Sequence, residues 1–122
     1  MKRIEDLPDV LIEPDNFREF FGRFLVIGGL NQKIHVFAKQ GDEGHSLIYS
    51  RFEDILLGYG LMYDQSRQVV KVLSGGSLQI MPDTVMVFGE SLTYGKFDEQ
   101  IIGPIFERLR EQRFPNYKLL IK

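Results

Sequence analysis

The chain has 122 residues, 43% hydrophobic and 26% charged, with a net charge of −2 and a pI near 5.7. That is the composition of one globular domain over 1–122, and its slight acidity argues against a general nucleic-acid surface. Cysteine is absent, which removes disulfides, thiolate nucleophiles and cysteine-based metal sites together.

Met1-Lys2-Arg3-Ile4-Glu5-Asp6 carries no apolar leader, and no stretch nears the ~18 apolar residues of a membrane span. A cytoplasmic protein with no membrane partner is expected. Val10–Ile12 and Phe24–Gly28 read as strands, the second apolar throughout, as suits a central position. Between them, the spacing of Phe17, Phe20, Phe21 and Phe24 predicts a short amphipathic turn, either core or, if exposed, a partner surface. Lys33–Lys39 alternates, with Ile34, Val36 and Ala38 on one face and His35 and Phe37 on the other, so a third strand is predicted. His35 is read as an exposed or strand-packed side chain. Lys39-Gln40-Gly41-Asp42-Glu43-Gly44 is the most polar break and reads as a surface loop.

Ser50-Arg51-Phe52-Glu53 fits a capping box, which predicts a helix from about Arg51. Phe52, Ile55, Leu56, Tyr59 and Met62 form its apolar stripe. Gly58 and Gly60 predict either a close neighbour or an early end. Gln68–Leu73 and Leu78–Met81 read as strands flanking a Ser74-Gly75-Gly76-Ser77 turn. Pro82-Asp83 is a second turn, and Thr84–Gly89 is the strongest strand signal of the chain. From Asp98 to Gln112, Ile101, Ile102, Ile105, Phe106 and Leu109 have helical spacing, with a kink or a late start expected at Gly103-Pro104. Phe114-Pro115-Asn116 ends that helix, and Tyr117–Ile121 is a last strand. The order β-β-β-α-β-β-α-β predicts an α/β fold: a single layered domain with a mixed sheet of about six strands and two helices.

Two apolar runs end in small residues: Leu73-Ser74-Gly75-Gly76-Ser77, and Val85 to Gly95, which reads VMVFGESLTYG. Small residues let backbone amides approach a ligand, and a helix N-terminus adds positive potential. The expected result is an anion pocket, most simply for phosphate. The amides of residues 91–95, with Gly75 or Gly76 nearby and Arg23 opposite, are expected to converge on it. The competing reading of these segments is two ordinary Gly/Ser loops.

With Leu7-Pro8-Asp9-Val10, Gly22–Ile27 and Phe114-Pro115-Asn116-Tyr117-Lys118-Leu119 in the same order, these motifs resemble the phosphohistidine phosphatase (Janus/Ocnus) family. The likeness is loose over 7–28 and good over 68–122. It implies a phosphohistidine phosphatase-like fold and a metal-independent hydrolase needing no cofactor. A phosphorylated protein or small phosphorylated ligand would be its partner; separately, a monomer is expected. Carried over by motif, Arg23, Gly75, Gly76, Ser91 and Thr93 would bind phosphate, while Ser77 stands where the family often has arginine.

The family's catalytic histidine opens its first helix in a pattern like Y-H-x-D-I. Counting without gaps from the Gly-rich run places Phe52 there, in Tyr49-Ser50-Arg51-Phe52-Glu53-Asp54-Ile55. A phenylalanine can neither take nor give a proton. His45, upstream in the expected loop, is then the candidate catalytic residue as a substitute base. Glu90, beside Ser91, would either point away from phosphate or handle a proton. Two functions stay open: a phosphatase acting on phosphohistidine or a related phosphoramidate through such a base, or a catalytically silent module that binds phosphate or phosphoprotein.

Overall fold

The computed structural model describes residues 2–122. Its strands are β1 (Val10–Glu13), β2 (Phe20–Leu30), β3 (Lys33–Gln40), β4 (Lys71–Met81), β5 (Thr84–Phe88) and β6 (Lys118–Ile121). Three helices join them: α1 (His45–Leu57), α2 (Tyr63–Val69) and α3 (Glu99–Arg113). The strands make one mixed sheet in the order β1-β3-β2-β4-β5-β6. The β1/β3 and β5/β6 pairs are parallel and the rest antiparallel. None of the helices of the described residues is long and apolar enough to cross a membrane.

Side-chain alternation along the central strands feeds two cores. Phe20, Phe24 and Val26 of β2, with Val36, Leu78 and Val85, pack against Ile102, Phe106 and Leu109 of α3. Leu25, Ile27 and Phe37 point the other way, onto Ile48, Phe52 and Leu56 of α1. The phenylalanines expected in an amphipathic turn therefore follow the period of a strand. Phe20 and Phe24 are buried beneath α3, Phe21 lies on the opposite face, and Phe17 packs against Phe20 from outside the strand.

Several boundaries differ from the sequence expectation. Helix α1 begins at His45, behind Gly44 in an extended conformation, and not at Arg51. Ser50 caps nothing; its hydroxyl donates back to the Ser46 carbonyl at 3.3 Å. A cap is worth only about 1 kcal/mol, whereas extending the stripe upstream buries Ile48 completely enough to be worth about 1.5–3 kcal/mol. The stripe thus runs His45, Ile48, Phe52, Leu56, and Met62 falls outside the helix, exposed. The chain leaves α1 at Gly58, and Gly60 takes the left-handed conformation that turns it into α2. That second helix had no signal in the apolar pattern, because among its seven residues only Ser66 is buried.

The Ser74–Ser77 segment is not a turn. β4 runs straight through it, paired with β2 at Leu25↔Gly75 and Phe24↔Gly76. Helix α3 starts at Glu99, capped by Asp98, whose carboxylate accepts from the Gln100 amide at 2.9 Å, and it continues through Pro104.

Candidate functional site

Gly75 and Gly76 sit mid-strand because neighbours occupy the space where side chains would stand. A Cβ on Gly75 would lie 2.7 Å from Cδ2 of His45, and one on Gly76 would lie 2.8 Å from the Phe24 ring. The two glycines face opposite sides of the sheet: one admits the imidazole, the other the aromatic cluster under α3. On its α1 side, β4 thus offers a flat floor on which the first residue of α1 rests.

His45 is 7% exposed, and its Nε2 lies 3.0 Å from the Gly76 carbonyl. A carbonyl only accepts, so the neutral ring carries its proton on Nε2 and leaves the Nδ1 lone pair free. Burial lowers the His45 pKa, the Gly76 hydrogen bond opposes that shift, and the positive charge of Arg23 adds to it. The ring is therefore neutral at pH 7 and able to accept a proton.

A cleft of about 280 Å³ opens beside it, walled by Arg23, His45, Ser46, Ser77, Glu90 and Thr93. Arg23 projects from β2 in register with Ser77 of β4 and Lys39 of β3. One Arg23 guanidinium nitrogen donates to the Glu43 carbonyl at 3.2 Å, which fixes the side chain at this end of the sheet. Lys39 pairs with Glu43 at 2.7 Å. The helix amides of His45 and Ser46 lie ahead of the first intrahelical bonds, which start with Leu47 and Ile48 donating to Gly44. Two backbone donors, a helix N-terminus and an arginine thus meet at one cleft, a favourable setting for an anion.

The 91–95 segment serves differently from expectation. The Ser91 hydroxyl is buried and accepts from the amides of Thr93 and Tyr94, at 3.2 and 3.0 Å. The Ser91 and Gly95 amides bond to each other's carbonyls. Four of the five amides are thereby spent inside the turn, so this loop is no amide cradle; α1 supplies the donors instead. Ser91 shapes the wall without lining the cleft, whereas Thr93 does line it. The Gly75 amide donates to the Gly95 carbonyl at 3.1 Å, tying the turn to β4.

Of the residues singled out from sequence, Arg23, His45 and Thr93 come together at the cleft, with Gly75 and Gly76 beneath His45. Phe52 lies two helical turns farther along the same stripe, 1% exposed and 5.5 Å from the Phe37 ring. His35 is buried and strand-packed, its Nδ1 at 2.9 Å from the Pro8 carbonyl. Ser46 was missed because the predicted helix began too late. Glu90 is exposed and brings a negative charge to the rim. Among the described residues no group of three or more His, Asp or Glu side chains is placed to hold a metal ion. The chain matches no protein-family model and no curated protein.

Proposed function

We propose that the chain is a phosphohistidine phosphatase-like hydrolase in which His45 is the catalytic base. The observation that carries this reading is the setting of His45: a neutral imidazole at the start of a helix, held through Nε2 by Gly76, beside a cleft that also holds Arg23. The resemblance supports it too. With α1 beginning at His45, the run Gly44-His45-Ser46-Leu47-Ile48 stands against Y-H-x-D-I, keeping the histidine and isoleucine and replacing the tyrosine by glycine and the aspartate by leucine. The gap-free count that put Phe52 there is seven residues late, and seven residues are two turns along one helix face.

In this reading the α1 amides and Arg23 neutralise the phosphate oxygens. His45 Nδ1 takes a proton from a water attacking phosphorus. The phosphorus–nitrogen bond breaks, and the proton passes from His45 to the departing nitrogen. Such a base contributes about 10²–10⁴-fold. Purified protein should release phosphate from phosphoramidate and from a phosphohistidine peptide, and His45→Ala should lower kcat by that factor while leaving the fold intact. Wild type that binds these ligands without turnover would be the silent binding module instead.

A further inference from the structure

Helix α1 covers only part of its side of the sheet. From His45 over Gly75 it runs toward Leu25 and Ile27, away from the Phe21 end of β2. The part left open is a row in cross-strand register: Phe21↔Gln79, Gln79↔Met86 and Met86↔Leu120. These side chains share the α1 face, because their neighbours Phe20, Leu78, Ile80, Val85 and Val87 are buried under α3. Phe21 is 54% and Leu120 43% exposed, although both belong to strands. The adjacent row, one pleat along, is Arg23, Ser77 and Phe88, the first two at the cleft.

Resting on the proposed function, we infer that this open row docks the polypeptide on which the phosphorylated residue is carried. Charge flanks the apolar row without entering it: Arg23 and Lys39 belong to the cleft row, Lys118 with Met81 and Thr84 to the row beyond, and the row between, Phe21, Gln79, Met86 and Leu120, has no charge. A phosphate alone requires only the first row. Two residues along a strand cover ~7 Å, and an extended peptide repeats its side-chain direction at the same interval. With the phosphate in the cleft and the peptide lying along the strand direction, the side chain two positions away falls on the apolar row. The ligand class is an extended segment with a large apolar residue two positions from the phosphorylated one.

The test compares fluorescein-labelled peptides that carry a non-hydrolysable phosphohistidine analogue, one with leucine two positions away on each side and one with glycine there. Binding to wild type and to the Phe21→Gln/Leu120→Gln double variant is read by fluorescence anisotropy, and phosphoramidate turnover is followed in parallel. Wild type should hold the leucine peptide about tenfold tighter than the glycine peptide, as burial of one leucine supplies. The double variant should lose that tenfold and keep its phosphoramidate turnover. Equal affinity of wild type for the two peptides, or an unchanged preference in the double variant, overturns the inference. A wild-type dimer in sedimentation velocity that the double variant abolishes would assign the row to self-association and overturn it as well. Failure of the phosphatase reading is separate: wild type would leave phosphoramidate intact, while the leucine preference of the peptides still decides the docking face.

Discussion

Gly75 leaves the space that the His45 ring fills, and Gly76 supplies the carbonyl that orients it. Adding one methyl at Gly75 puts it 2.7 Å from His45 Cδ2 and 3.0 Å from the Phe24 carbonyl oxygen, so the ring must move. Gly75→Ala should cost about 1–3 kcal/mol of stability and, because a misplacement near 1 Å costs on the order of 10²-fold, a comparable loss in phosphoramidate kcat/KM. Urea melts and steady-state rates measure the two separately. The lowered pKa of His45 has two consequences. Its neutral form persists below the ordinary imidazole value of ~6.5, so the acidic limb of kcat/KM should lie below that pH, and it should shift upward in Arg23→Gln, which removes one lowering influence. For stability, the unfolded chain takes up the proton first as pH falls, so stability declines from ~6.5 down to the folded pKa and is whole above it. Urea melts between pH 7 and pH 5, with His45→Asn for comparison, should show that slope diminished in the variant.

At the scale of elements, α1 is anchored by the same stripe that presents His45. Phe52 packs on Phe37 among Leu25, Ile48 and Leu56, so Phe52→Ala should cost about 3–5 kcal/mol in a denaturant melt. Phe52→His should raise no turnover, since that position is in the core and not at the cleft. The Ser91 turn is the second element of the site. Ser91→Ala strips two amides of their acceptor and should cost about 1–3 kcal/mol, with KM raised more than kcat lowered because Thr93 loses its support. By contrast, the exposed Arg51–Glu13 pair, at 2.7 Å and bridging α1 to β1, should cost less than about 1 kcal/mol on Arg51→Ala.

At the scale of the whole molecule, the two cores share β2 and β3, residue by alternate residue. Neither core can be lost without exposing the back of the other, so far-UV and near-UV signals should report one coincident urea transition. Separate transitions would show the α1 and α3 sides to be independent. Much of this architecture was legible in the chain. β3 alternates in sequence, β5 and β6 carry strand propensity, and the α3 stripe survives its proline. The start of α1 was not legible, because the capping box at Ser50 is a real local pattern outweighed by the burial of Ile48. Nor was α2 legible, since it buries almost nothing of its own. The Ser74–Ser77 segment misled for a related reason: Gly-Gly between serines has turn chemistry, and only the neighbours reveal a strand thinned to admit a ring on each side. What the sequence by itself determined is the α/β class, the strands with their own period and the inventory of groups able to meet an anion, since propensity and alternation are local properties. Only the tertiary structure decided that His45 opens the helix, that its ring lies on Gly75, and that α1 rather than the 91–95 turn supplies the free amides. Those outcomes depend on which surfaces bury each other across distant stretches of chain, and no local pattern records that competition.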